Sequence, residues 1–234
     1  MNAVAFAERA AFFPGHDALV VADLHVGRGE ASAVSFPVGE REDLLTRLDG
    51  LLSRFDPERV VGAGDVVHTF SAVSERSRES LAVLRDACEE RGAAVELAAG
   101  NHDTALESAW DGPIREAVVL DADDAPRTVV SHGHEPPSIA AERYVIGHVH
   151  PTIEIEGDRR PCFLHGEGVY RGADLLIMPA FTRLAPGVAV NEMRTDAFDS
   201  PLVTDADRLA PIVFDPGRRE PLRFPPLGAF RELL

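Results

Sequence analysis

The stretch AAFFPGHDALVVADLH, residues 10–25, indicates the class of fold. Two apolar runs flank PGHD at residues 14–17, a sequence typical of a turn, so the stretch predicts a β-hairpin. The second run, Leu19 to Ala22, ends at the polar residues Asp23 and His25. Polar side chains therefore stand where a predicted strand stops.

The next segments alternate between helical and extended patterns. Leucines recur at helical spacing through residues 39–55 (GEREDLLTRLDGLLSRF), and residues 74–91 form a second amphipathic pattern. Short apolar runs from Arg59 to Ala63 and from Ala94 to Ala98 predict buried strands. The order strand, helix, strand, helix, strand implies parallel strands joined by crossover helices.

The pattern changes in the second half of the chain. Short apolar runs separated by turn residues predict strands at 118–120, 127–131, 143–146, 152–155, 162–165, 174–178 and 188–191. We find no linker and no internal repeat, so we expect one domain over residues 1–234. The tail from Asp205 to Leu234 is rich in Pro and Arg and yields no prediction of structure.

The composition is strongly acidic. The chain of 234 residues has 39 acidic residues against 23 basic ones, a net charge of -16, and all 23 are arginines. Such a surface repels itself at low salt, whereas at molar salt the Debye length falls to about 3 Å. We therefore expect a halophilic protein; the alternative is an ordinary acidic protein from a GC-rich genome. The charge also argues against a broad basic surface for nucleic acid, although it allows a local one.

The sequence gives no signal for a membrane or for disulfide bonds. No apolar run reaches the roughly 20 residues of a membrane helix. Glu8 and Arg9 interrupt the mildly apolar N-terminus, so we predict no signal peptide and a cytoplasmic protein. Cys88 and Cys162 lack partners at zinc-ligand spacing and are expected to be buried thiols.

Five polar blocks follow the apolar runs in order. They are Asp23-Leu24-His25, Gly64-Asp65, Gly100-Asn101-His102-Asp103, Ser131-His132-Gly133-His134 and Gly147-His148-Val149-His150. The C-terminal ends of strands in an open α/β sheet converge on one edge, where ligands bind. Imidazole and carboxylate groups together suit Zn, Fe and Mn. The set as a whole predicts a metal centre, although each block alone is also explained by a helix cap, a turn or a loop histidine.

The spacing inside the blocks supports this prediction. In an extended segment residues two apart point the same way, so Asp23 with His25 can offer two ligands to one centre, as can His148 with His150. The glycines that precede Asp65, Asn101 and His148 are expected to permit sharp turns.

The ordered set D-x-H, G-D, G-N-H-D, H-G-H and G-H-x-H resembles the calcineurin-like metallophosphoesterases. The stretches ADLHVG (22–27), GDVVHTF (64–70) and MPAF (178–181), the last ahead of Val190-Asn191, resemble the archaeal ICC-like phosphoesterases and the DNA-ligase-associated metallophosphoesterases of bacteria. The resemblance implies an α/β fold, a four-layer αββα sandwich of two mixed β-sheets flanked by helices.

The resemblance also implies roles for the residues of the blocks. One metal would be held by Asp23, His25 and His150, the other by Asn101, His132 and His148, and both by Asp65. His134 is an alternative to His132 as a ligand. The implied cofactors are two divalent ions, Mn first, with Fe, Zn, Ni or Mg as alternatives. His102 would lie near the substrate as the catalytic proton donor, oriented by Asp103.

These roles imply hydrolysis of a phosphodiester or a phosphomonoester. Two cations about 3.5–4 Å apart clamp a phosphoryl group and generate a bridging hydroxide that attacks phosphorus. A histidine is the usual proton donor to the leaving oxygen near neutral pH. A DNA or RNA nuclease acting in DNA repair is one alternative, and a non-catalytic scaffold on the same fold is another.

Three further residues are candidates for substrate binding. Arg28 could hold a substrate phosphate or form an exposed salt bridge. His68 could approach the site from a helical turn that begins near Asp65, or lie on the surface of that helix. His134 is the third candidate, whereas His165 is expected to be structural. The substrate could be a nucleotide or a nucleic acid, and the oligomeric state stays open.

Overall fold

The structure is a computed structural model that describes residues 4–31, 39–69 and 72–232. Phe70 of the GDVVHTF stretch lies outside the described residues, as do residues 1–3 of the N-terminal stretch and residues 233–234 of the tail. The fold is mixed α/β, with two large mixed sheets flanked by helices, as the resemblance implied.

The first sheet contains the strands predicted from the first half of the chain. Its order is β1 (Ala5–Ala7), β2 (Ala10–Phe13), β3 (Ala18–Val21), β4 (Arg59–Ala63), β5 (Ala94–Ala98) and β6 (Ile114–Arg115). Strands β2 and β3 form the predicted antiparallel hairpin across a 3-10 turn at Pro14–His16. Strands β3 to β6 are parallel, and the predicted crossover connections are confirmed.

Helices α1 (Arg28–Ala31), α2 (Glu40–Phe55) and α3 (Glu75–Glu89) lie in the connections of this sheet. The backbone amide of Ser77 donates to Ser74 Oγ, a side-chain cap that begins α3 close to the predicted position. Leu48 of α2 and Leu81 of α3 belong to the same buried cluster as Leu19 of β3. Helices α2 and α3 therefore cover the outer face of the first sheet.

The second sheet is built from the second half of the chain. Its order is β16 (Glu220–Arg223), β15 (Ala210–Asp215), β12 (Phe163–Tyr170), β13 (Ala173–Ile177), β9 (Arg143–Ile146), β8 (Ala125–Ser131) and β7 (Ala117–Ala122). A small third sheet has the order β11 (Asp158–Pro161), β10 (Pro151–Ile155) and β14 (Val188–Ala189). All the strands predicted in this half are present.

The two large sheets pack face to face. Val20 of β3 and Val61 of β4 share one buried cluster with Val130 of β8 and Val145 of β9. Leu19 and its neighbours on the other face contact the helices, so β3 and most of β4 are buried on both faces. Burial on both faces explains why these strands read as continuous apolar runs.

The tail folds into defined elements that the sequence did not reveal. Strands β15 and β16 extend the second sheet, and α4 (Leu227–Arg231) follows them. Leu227 and Phe230 of α4 join a buried cluster with Tyr144 of β9 and Leu164 of β12. The outer face of the second sheet is thus covered by a short helix, 3-10 turns and the small sheet.

No helix among residues 4–31, 39–69 and 72–232 combines the length and the apolar character needed to cross a bilayer. Cys88 and Cys162 are free and buried, as predicted.

Candidate metal centre

The five polar blocks meet where the two large sheets face each other. Each of the first three blocks begins within two residues of the end of β3, β4 or β5, and the last two follow β8 and β9. Backbone hydrogen bonds join these loops to one another. The amide of Asp23 donates to Gly64 O (3.0 Å), and the amide of Gly147 donates to His132 O (3.0 Å).

Five residues of the blocks have a left-handed backbone, namely Asp23 (φ 54°), His25 (φ 47°), Asp65 (φ 48°), His148 (φ 66°) and His150 (φ 49°). The prediction that the D-x-H and H-x-H segments are extended is therefore wrong. A positive φ is uncommon outside glycine and costs on the order of 1–3 kcal/mol at each residue. The hydrogen bonds between the loops hold these conformations, and they turn both side chains of each pair into the centre.

The glycines before three of the blocks are required for close packing more than for turns. A Cβ on Gly100 would lie 2.2 Å from Asp65 Oδ1, and one on Gly147 would lie 2.5 Å from Asp23 Oδ2. Only Gly64 of the three has a positive φ (80°), and its Cβ would also meet the ring of His132 at 2.4 Å. Any side chain at these positions would displace a candidate ligand.

Asp23, His25 and His150 form the first group of candidate ligands. His150 Nε2 lies 3.1 Å from Asp23 Oδ1 and 3.4 Å from His25 Nε2. Asp23 is fully buried, and both of its carboxylate oxygens also accept from the amide of His148. One ligand atom from each of the three residues lies within 4.8 Å of the others, so the group could hold a metal ion.

Asn101, His132 and His148 form the second group. His132 Nε2 lies 2.9 Å from Asn101 Oδ1 and 3.1 Å from His148 Nδ1. Asp65 stands between the two groups, with Oδ1 3.4 Å from His132 Nε2 and Oδ2 3.8 Å from His25 Nε2. Each oxygen of the Asp65 carboxylate thus faces a different group.

The charges of the centre suit a cation. Burial and, to a smaller extent, the neighbouring Asp23 carboxylate raise the pKa of Asp65 to about 7. Burial lowers the pKa of His25 to about 3 and that of His132 to about 4, although Asp23 opposes both shifts. Neutral imidazoles therefore face two buried carboxylates, a set of donors that fits Mn, Fe or Zn and that a cation would compensate.

His102 and Asp103 lie beside Asp65. The amide of His102 donates to Asp65 Oδ1 (3.1 Å), and its Nε2 lies 3.9 Å from Asp65 Oδ2. The Asp103 carboxylate is buried and accepts from three backbone amides, those of Val66, Val67 and Gly100. These bonds join the loop after β4 to the loop after β5, so Asp103 positions the backbone around Asp65. Its expected contact with the His102 side chain stays a prediction.

The structure places His68 at the centre, but on a loop. Its ring stacks on that of His102, with centroids 6.2 Å apart and planes at 8°, and lies 5.5 Å from the ring of His25. The helical turn expected after Asp65 is absent from the described residues there, because Val67 forms a parallel bridge with Val26.

Arg28 and His134 lie on opposite sides of the centre. Arg28 Nε donates to Leu184 O (3.2 Å), which holds the side chain by a backbone carbonyl; the expected exposed salt bridge is not the contact described. The ring centroid of His134 lies 5.2 Å from that of His132 and 6.1 Å from that of His148. His134 is therefore next to the second group.

Two contributors to the centre had no sequence signal. Asp199 Oδ2, on an exposed loop, lies 3.5 Å from His148 Nε2, and Ala63 O lies 3.4 Å from His132 Nδ1. Both are partners for the second ring nitrogen of a candidate ligand, which orients the ring.

The MPAF stretch links the second sheet to the metal centre through backbone hydrogen bonds. The amide of Phe181 donates to Ala22 O (2.7 Å), and that of Thr182 donates to Asp23 O (3.4 Å). The side chain of Asn191 accepts from the backbone amide of Glu154 in β10 and donates to the carbonyl oxygen of the same residue. These residues support the backbone behind the candidate ligands.

A two-sheet sandwich with buried carboxylates and histidines at its strand ends defines the class of metallophosphoesterases. Residues 17–176 match the family model of the calcineurin-like phosphoesterases, so the chain belongs to that family and is a hydrolase of phosphate esters. Among solved structures it is similar to the nuclease MPE of Pseudomonas putida, with 27% identity and a TM-score of 0.61 over 93% of each chain. A comparison with curated proteins finds no match.

Proposed function

We propose that this chain is a phosphodiesterase with a dinuclear metal centre. The observation that carries the proposal is the position of Asp65, whose two oxygens face the two groups of candidate ligands. The first ion would be held by Asp23, His25 and His150, the second by Asn101, His132 and His148, with Asp65 shared. Imidazole, amide and carboxylate donors fit Mn, Fe or Zn, and Mn is the ion that the family resemblance puts first.

Two divalent ions, when bound, would polarise the phosphoryl group and activate the attacking water. The residues of the chain supply the other steps. His102 lies beside the centre without being needed as a ligand, and its side chain is 26% exposed, so it can reach a substrate. We assign to His102 Nε2 the transfer of a proton to the leaving oxygen. His68 stacks on His102 and fixes the plane of its ring.

Nucleic acid is the second candidate substrate. The similarity to a nuclease over 93% of each chain supports this candidate. A non-catalytic scaffold is not favoured, because all the candidate ligands are present and the structure brings them together. The acidic composition supports a halophilic enzyme, and a single domain and a cytoplasmic location are further parts of this proposal.

Hydrolysis of bis(4-nitrophenyl) phosphate tests the proposal. The protein loaded with Mn should hydrolyse this diester, chelation should abolish the activity, and added Mn should restore it. The variant His25→Ala serves as a control for contaminating enzymes, because it removes one candidate ligand and should lose the activity in the same preparation. Hydrolysis that survives both chelation and His25→Ala, or no hydrolysis at any Mn concentration, would contradict the proposal.

A further inference from the structure

A cluster of arginines lines two adjoining pockets of this acidic protein. The pockets share Glu8, Phe214 and Pro216, and their volumes are 290 and 250 Å³, near the lower end of ligand sites at roughly 300–1,000 Å³. We call the arginines that line them the arginine surface; they are Arg9, Arg47, Arg54, Arg160, Arg183 and Arg219. A quarter of the arginines of a chain with a net charge of -16 therefore meet in one place.

Two residues of the arginine surface, Arg9 and Arg160, lie at the same edge of the fold as the metal centre. Arg9 precedes β2, whose Ala11 pairs with Val20 at the end of β3, just before Asp23. Its Nη1 donates to Ala180 O (3.0 Å), next to the Phe181 amide that bonds the loop of Asp23. Arg160 lies on β11 opposite Ile153 of β10, the strand that begins directly after His150.

Local carboxylates neutralise only part of this positive charge. Glu8 and Asp43 both pair with Arg183 (3.8 and 3.1 Å), Asp43 also pairs with Arg47 (2.7 Å), and Asp158 pairs with Arg160 (3.6 Å). Burial and, to a smaller extent, the nearby Arg47 and Arg183 lower the pKa of Arg9 to about 10. Three acids against six arginines leave a local excess of positive charge.

One guanidinium nitrogen of this surface is unused. The side chain of Arg47 is 6% exposed, and its Nε and Nη2 donate to Asp43 Oδ2. Its Nη1 is buried and has no hydrogen-bond partner in the described parts of the chain. The guanidinium also lies over the ring of Phe181, 4.1 Å from its centroid, so Arg47 adds positive charge to the wall of the pocket without presenting an accessible donor.

We propose that the arginine surface holds the phosphates of a single-stranded nucleic acid beside the metal centre. This inference rests on the proposed function, since it assigns a binding surface for its substrate. The acidic remainder of the molecule repels a polyanion, so the strand would be directed to this surface. A flexible strand can bend from one pocket into the next, and the partly exposed ring of Phe214 in the shared wall suits a base. Three arginines of the surface lie outside residues 17–176, the part that matches the family model; they are Arg9, Arg183 and Arg219.

Binding of a fluorescein-labelled oligothymidylate, followed by anisotropy with EDTA present, tests the surface independently of hydrolysis. The double variant Arg160→Gln and Arg219→Gln removes two exposed arginines of the surface. The control is the double variant Arg91→Gln and Arg127→Gln. It removes the same charge at the ends of the sheets that lie away from the metal centre. Arg127 matches Arg160 closely, because it is 48% exposed and pairs with Asp121 at 3.5 Å, against 50% and 3.6 Å.

The surface variant should raise the Kd at least about tenfold at low salt, and the control should leave it essentially unchanged. The slope of log K against log salt should fall by about 1.4, since each phosphate contact in a single strand contributes roughly 0.7. Equal losses in the two double variants, or no binding by the unmodified protein, would overturn the inference.

Kinetics with the Mn-loaded protein separate this inference from the proposed function. The surface variant should hydrolyse bis(4-nitrophenyl) phosphate with an unchanged kcat/KM, because that diester is too small to span the two pockets. Loss of diester hydrolysis in the surface variant, with an unchanged melting temperature, would also overturn the inference. Absence of Mn-dependent hydrolysis in the unmodified protein would instead refute the proposed function, and the anisotropy result would stand by itself.

Discussion

The two groups of the candidate metal centre differ in charge and in burial. The first group contains the fully buried carboxylate of Asp23, which pairs with His150 at 3.1 Å and keeps the pKa of that histidine raised despite burial. The second group contains the exposed Asn101 and the neutral His132, whose pKa is lowered to about 4 chiefly by burial. The first group therefore attracts a cation more strongly, and the raised pKa of His150 makes a proton compete with that cation at a higher pH than in the second group.

This difference indicates that the two groups bind their ions with different affinities. Asp65, with a pKa raised to about 7 by burial and by Asp23, directs one carboxylate oxygen to each group, whereas Asp23 approaches both His150 (3.1 Å) and His132 (3.7 Å) through a single oxygen. The first ion should bind tightly in a preformed pocket and the second more weakly, near the side where Asp199 contacts His148. The predictions below follow from this asymmetry.

The largest effect is expected for Asp65→Asn. Loss of the shared charge should weaken both ions by more than the roughly 10–100-fold that removal of an outer partner costs. The control His25→Ala affects the first group alone and should leave the second ion in place. Metal content after dialysis against buffered Mn measures both effects. If Asp65→Asn retains both ions, the shared role of Asp65 is wrong.

The next largest effect is expected for His102→Ala. A positioned general acid contributes about 10²–10⁴-fold, so this variant should be strongly impaired on a nucleoside diester, whose leaving oxygen needs a proton. It should be much less impaired on a nitrophenyl diester, and its metal content should match that of the unmodified protein. An equal loss on both esters would indicate that His102 only packs the loop, and a loss of metal would indicate that it is a ligand.

A smaller effect is expected from pH, which should change the Mn affinity of the first group more than that of the second. His150 has a raised pKa and is protonated below it, so affinity for the first ion should fall as the pH drops from 8 to 6. His132, with a pKa of about 4, stays neutral over that range and does not add to the loss of the second ion. The variant Asn101→Ala, which retains the first group, should lose Mn at higher pH than His25→Ala, which retains the second. Identical pH profiles would contradict the asymmetry.

The smallest effect on the centre is expected from salt. Molar KCl should raise the melting temperature, because a surface with a net charge of -16 repels itself in dilute buffer. The buried first group is shielded from solvent, so its Mn content should not change across the series. A flat or falling melting temperature would contradict the halophilic interpretation, and a parallel loss of Mn would place the first group at the surface.

The parallel core of the fold could be predicted from the sequence, whereas its periphery could not. Strands β4 and β5 have the predicted bounds: β4 is a buried apolar run after Arg59, as burial on both faces requires, and β5 is apolar apart from the partly buried Glu96. Strand β11 (DRRP) is polar, and the tail is rich in Pro and Arg, so neither shows a strand pattern. The pairing of β12 with β15 joins residues far apart in sequence, and local periodicity does not determine such a pairing.

The candidate site could be predicted as a set of residues but not as a geometry. Repeated histidines at strand ends marked the blocks, and the structure brings them together. The left-handed backbone at Asp23 and His150 depends on hydrogen bonds from distant loops. The contacts of Asp103 with backbone amides and of Asp199 with His148 likewise arise only when the loops meet.

The number of metal ions bound by the unmodified protein decides whether the chain forms a dinuclear centre. The protein, purified without chelator and loaded with Mn, should contain two ions per chain, of which one leaves at a lower chelator concentration than the other. Elemental analysis of the dialysed protein across a chelator titration gives this number. Two ions released in two steps would support the account, and a content near zero, or one ion per chain at saturating Mn, would contradict it.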